Sequence, residues 1–176
     1  MPSVFGHSAV GYTLAKLLDS KNSKWLLLAA IFSTNLPDFD VLAFKFGIPY
    51  EHPFGHRGFT HSVIFAFIWA VILMFAFGKN RKMLWFLVVF VGTLSHGIFD
   101  AMTSGGRGVG FFIPIDNSRY FFPFRDIKVS PIGVDRFFSA WGIKVLFSEI
   151  KYIIFPCFLI LAVRFLFLKL KRMEKR

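Results

Sequence analysis

Apolar positions along this chain fall into blocks separated by short polar turns. Residues 5–18 put Val10, Leu14, Leu17 and Leu18 on one face of a helix. Ser20-Lys21-Asn22-Ser23 interrupts the pattern, and residues 25–36 form a second helical block that Pro37 helps to end. Residues 39–55 contain Gly47, Pro49, Pro53 and Gly55 and read as irregular chain. A third helix starts at residue 60 or 62 and runs to 77. The tight polar connection Gly78-Lys79-Asn80-Arg81 follows, and a fourth helix covers 82–101. A long Gly-, Pro- and aromatic-rich loop over 103–148 precedes a last helix over 150–169. Phe111, Phe112, Tyr120, Phe121, Phe122 and Phe124 in that loop suit an interfacial layer. The pattern predicts an all-α, multi-helix bundle of about five helices in one domain over residues 1–176.

Composition moves that bundle into a membrane. The chain is 55% hydrophobic with 26 Phe among 176 residues, and its mean hydropathy is +0.58. Several apolar blocks are shorter than the ~20 residues of a full span, so some helices are expected to be tilted or packed inside the bundle. The net charge of +11 does not indicate nucleic acid. The basic residues form no stripe with interleaved stacking aromatics. They gather at helix ends: Lys21 and Lys24; Lys79, Arg81 and Lys82; then Lys169, Lys171, Arg172, Lys175 and Arg176. That distribution fits cytoplasmic flanks and anionic headgroups. Membrane lipids are therefore the expected surroundings, with no nucleic-acid partner. The single cysteine, Cys157, sits in an apolar block, which excludes an internal disulfide or a thiolate zinc site.

The chemistry lies at the ends of the apolar blocks. His7 opens the first. Asp38 and Asp40 close the second, in Leu36-Pro37-Asp38-Phe39-Asp40. His56 and His61 precede the third, in His56-Arg57-Gly58-Phe59-Thr60-His61-Ser62. His96 and Asp100, four residues apart, end the fourth. A titratable side chain in or beside a bilayer core is expensive unless paired, ligating or in water. His96 and Asp100 share one helix face, and imidazole with carboxylate suits Zn²⁺ or a similar divalent ion. Asp38 and Asp40 would lie on one side of an extended segment, one ligating and the other orienting a His or activating water. Arg57, between two candidate ligands, is placed to bind an anionic oxygen. With the basic turns in the cytoplasm, all these groups fall at the opposite, extracytoplasmic end.

Taken together, these motifs resemble a bacterial and archaeal family of membrane-bound proteins of the YdjM/YbcI type. The resemblance covers residues 6–133. It rests on Gly6-His7, the Leu36–Asp40 and His56–Ser62 motifs, His96 to Asp100 with Thr103 and Gly106, Phe112-Ile113-Pro114 and Arg119-Tyr120. It implies an inner-membrane protein of several helices with a metal-dependent hydrolase site. A more distant likeness is to zinc-dependent phospholipase C, in which an Asp, an isolated His and a helical HxxxD are ligands. Asp38 or Asp40, His61, and His96 with Asp100 follow that order, but no downstream His completes a three-metal set. One or two divalent ions, Zn²⁺ foremost, are expected on His7, Asp38, Asp40, His56, His61, His96 and Asp100. Asp38, Asp40 and Arg57 are the candidate catalytic groups. The expected activity is hydrolysis of a phosphoester of a lipid or lipid-linked substrate. The rivals are a non-enzymatic membrane protein with a structural metal site and a metal or proton transporter.

Overall fold

A computed structural model describes residues 1–131 and 134–174 of the chain. Its elements are helices: α1 (Val4–Leu18), α2 (Lys24–Asn35), α3 (Val63–Phe77), α4 (Lys82–Ala101), the short α5 (Val134–Phe137), α6 (Ala140–Glu149) and α7 (Phe155–Met173). No strand occurs among the described residues; two isolated bridges, Thr103 with Ile127 and Val109 with Tyr120, stitch the loop after α4.

Local chemistry sets the helix ends. Ser23 and Ser62 start α2 and α3, each side chain accepting from the amide three residues on, Leu26 and Phe65. Pro37 does not release the chain into an extended segment. Pro is tolerated at a first helical turn, and the chain tightens into a 3₁₀ helix, Leu36–Phe46, that Gly47 closes at φ +73°. The larger departure from the sequence pattern is at the end of the chain. The last helix begins at Ala140 rather than 150 and runs to Met173, through a π-helical turn at Ile150–Ile154. At 34 residues it is roughly 50 Å long, more than the ~30 Å hydrocarbon core, so part of it must stand outside the bilayer. The Gly/Pro/aromatic loop therefore ends near Ser139. Lys175 and Arg176 of the basic tail lie outside the described residues.

Lys24–Phe46, Lys79–Ala101 and Ala140–Met173 are long and apolar enough to cross a membrane, and α3 is a shorter apolar helix. Leu26, Ala30, Ala70, Trp85, Val88 and Val89 form the core between α2, α3 and α4. Small residues allow the close approach that helix packing in lipid relies on. A Cβ on Gly11 would lie 2.8 Å from the Ala30 carbonyl oxygen, so only glycine lets α1 meet α2 there. The outward residues of α7, Phe158, Val163 and Phe165 among them, are more than half exposed, as a lipid-facing helix requires.

This packing sorts the two kinds of charge. Asp19, at the end of α1, binds Arg81 at 2.6 Å, which joins the two basic turns at one end of the bundle. α1 runs parallel to the last helix: Gly6 faces Glu149, Val10 packs with Ile153, and Leu17 lies beside Val163 and Arg164. The basic end of α7 therefore joins the basic turns. The opposite end gathers the start of α1, the Asp38–Asp40 turn, the start of α3 and the end of α4.

Candidate metal centre

Asp38, His61, His96 and Asp100 meet at that end, each offering one ligand atom, and these atoms all lie within 4.8 Å of one another. His96 Nε2 lies 3.2 Å from Asp38 Oδ1 and 3.1 Å from His61 Nε2, and His61 Nε2 lies 3.4 Å from Asp100 Oδ2. The other ring nitrogens are engaged elsewhere. His96 Nδ1 donates to the Thr34 carbonyl at 2.7 Å, and His61 Nδ1 is 3.2 Å from Asp40 Oδ2. Both imidazoles thus aim Nε2 at the centre, with the far nitrogen held by an oxygen as in histidine metal sites. Asp38 Oδ1 and both Asp100 carboxylate oxygens are buried without a hydrogen-bond partner. Leaving such oxygens unpaired in an apolar interior is costly. A divalent cation among two carboxylates and two imidazoles satisfies all of them, so the donor set fits a metal ion. Burial would push the His61 pKa down, but the Asp40 and Asp100 carboxylates outweigh it and raise it to about 9.

The remaining sequence candidates surround this set. The His7 ring stacks on His96 at 3.8 Å, and its unpartnered Nε2 is 3.6 Å from Asp100 Oδ1. Asp40 does not lie with Asp38. The 3₁₀ turn sends it the other way, where it accepts from His56 Nδ1 at 2.6 Å, the Arg57 amide at 2.9 Å and the Thr60 hydroxyl at 2.8 Å, besides its contact with His61. The expectation that both carboxylates share one side of an extended segment is corrected here. A 3₁₀ helix separates residues i and i+2 that a strand would align.

Arg57 is fully buried and has φ +62°, an uncommon conformation for a side-chain-bearing residue. Its Nε sits 3.0 Å from Asp100 Oδ2, Nη1 donates to the carbonyls of Asp100 and Gly105, and Nη2 donates to Thr103 Oγ1. Gly106, at φ +87°, makes room: a Cβ there would lie 2.5 Å from Arg57 Nη1. Arg119 braces the same loop through the carbonyls of Tyr50, His52 and His56.

Comparison with known proteins joins this geometry to a family. The model of the YdjM inner membrane protein family matches residues 1–173. The chain belongs to the YdjM inner membrane protein family. A curated YdjM-family relative, inner membrane protein YbcI of Escherichia coli strain K12, is 40% identical over 166 residues, spanning 92% of this chain and 95% of the relative. No solved structure matches. This YdjM-family chain is accordingly a membrane protein, in keeping with its three spanning-length helices. The likeness to phospholipase C rests on the order of ligand types alone.

Glu149 is the residue that sequence reading passed over. It is completely buried, binding the Ser3 amide and, at 2.6 Å, the Ser3 hydroxyl, and so ties the start of the chain beside the centre. A lone acid inside the last apolar helix was the available signal. Starting the expected last helix at residue 150 left Glu149 just outside it.

Proposed function

We propose that this YdjM-family protein is a metal-dependent hydrolase working at the extracytoplasmic membrane surface on a phosphoester. The observation that carries the reading is the unequal burial of the four donors. The side chains of His61, His96 and Asp100 are wholly buried, whereas Asp38 is 13% exposed, so the set comes nearest the surface at Asp38, the side on which a catalytic site would keep its open position. Asp38, His61, His96 and Asp100 would hold one ion, with Zn²⁺ the best match to the mixed donors. His7 Nε2 and Asp100 Oδ1 are the groups available to a second. A bound divalent ion supplies Lewis acidity and lowers the pKa of water.

The surrounding residues divide the rest of the work. Asp40 has four partners and no free face; it orients His56 and His61 rather than taking a proton. His56 has Nδ1 on Asp40, which leaves Nε2 as the ring nitrogen that Asp40 does not engage. It lines a cleft of about 120 Å³ with Tyr50, Arg57, Gly106 and Ser130. It is the better proton acceptor. Arg57 holds Asp100 in place and lends positive charge to the cleft. The structural-metal rival draws on the burial of three donors, and His56 separates the two readings. His56→Gln should retain the metal and lose roughly 10²-fold or more in turnover of a soluble phosphoester. Unchanged turnover would remove His56 from the mechanism; a metal-loaded wild type inert on every phosphoester tried would leave the structural reading in its place.

A further inference from the structure

The open side of the donor set faces an apolar cavity of about 540 Å³ between the start of α1, α5 and α6. Val4, Phe5, Phe137, Phe138 and Leu146 line it, with Asp38 in its wall; the rings of Phe5 and Phe137 lie 6.2 Å apart. Ser130 and Met1 line this cavity and also the polar cleft that holds His56, Arg57 and Tyr50. A wide apolar compartment and a small polar one thus adjoin at Met1 and Ser130, with Asp38 in the wall of the wider one. Its size is that of a small-molecule site, about 300–1,000 Å³.

We infer that the apolar cavity, with Asp38 in its wall, takes the acyl chain of a membrane phospholipid, whose phosphate-bearing head then lies toward the adjoining polar cleft of His56 and Arg57. The inference rests on the hydrolase reading for what happens to the head, but not for binding of the tail. Two features favour a lipid over a soluble ligand. The cavity wall is almost wholly hydrocarbon and aromatic. It also lies at one end of a bundle whose helices are long and apolar enough to cross a membrane. A soluble phosphoester would use only the cleft and leave the larger compartment wet. A tail that fills it brings its phosphate past Asp38, the one side chain of the four that is not wholly buried.

The test uses the full-length, metal-loaded protein in nanodiscs. The probe is a non-hydrolysable phosphonate analogue of phosphatidic acid carrying a diazirine midway along one acyl chain. Irradiation should label peptides containing Val4–Phe5 and Phe137–Leu146, and excess phosphatidic acid should compete. Val4→Trp and Leu146→Trp fill the cavity from opposite walls. Each should lower that labelling roughly tenfold while metal content stays at the wild-type level. Using both guards against one variant failing to fold. Labelling spread over the lipid-facing side of α7 and unaltered in both variants would overturn the proposal. A water-soluble phosphoester, assayed in parallel, separates the two readings. Its turnover with no cavity labelling sinks the acyl site alone. Cavity labelling that phosphatidic acid displaces, without turnover of any ester, supports the acyl site and sinks the hydrolase.

Discussion

A guanidinium buried at the heart of the site needs partners, and Arg57 has them: both terminal nitrogens donate, to Thr103 and two carbonyls, and its Nε lies 3.0 Å from the Asp100 carboxylate. Its sequence position suggests an anion-binding role. The geometry alters that expectation. Removing one member of a buried ion pair leaves the other uncompensated, at about 3–5 kcal/mol. Arg57→Ala should therefore lower the melting temperature sharply and weaken metal retention, whatever it does to turnover. A variant as stable as wild type in a thermal melt would return Arg57 to a purely substrate-facing role. At this scale the donors were legible because His and Asp are conspicuous in an apolar chain. What sequence could not give was the division of labour. The 3₁₀ turn that parts Asp38 from Asp40, and hence turns Asp40 toward His56, follows from packing rather than composition.

Among the elements, the clasp between the two basic turns has its own signature. Asp19 accepts from the amides of Lys21 and Ser23 and from Arg81. Burial would raise its pKa, but the Arg81 guanidinium and the two amides hold the carboxyl below its usual range. A depressed carboxyl stabilises the fold above its unfolded pKa, and that contribution is lost as pH falls through the folded value. Asp19→Asn should cost about 1–3 kcal/mol at neutral pH. Its deficit against wild type should shrink below about pH 4, where both carboxyl states converge. Thermal melts at pH 7.5 and in that acidic range check this; a deficit independent of pH would mean that charge plays no part. α1 to α4 were readable to within a few residues, because their apolar blocks end at polar turns and Ser caps. α6 was not, since Gly142, the aromatics and the break at Lys144 made its sequence resemble the preceding loop.

Over the whole molecule, one end carries the basic turns and the other the ligands, and the proposed topology, with the basic end in the cytoplasm by the charge rule, is open to a direct test. In a Cys157→Ser background, Asn80→Cys should resist a membrane-impermeant maleimide in intact cells and Glu51→Cys should react. Reaction of both would place them on one side and break the helix count. Reaction at 80 alone would turn the site inward.

The central claim is that Asp38, His61, His96 and Asp100 hold a metal ion, and metal analysis of the purified protein tests it most directly. Wild type in mild detergent should carry at least one equivalent of a divalent ion, Zn²⁺ foremost. The paired change His96→Ala with Asp100→Asn should carry less than about a tenth of that, since it removes two of the four donors. Wild type free of stoichiometric metal, after growth with Zn, Mn, Fe and Ni supplied, would contradict the account; so would a doubly altered protein that folds and binds as much as wild type.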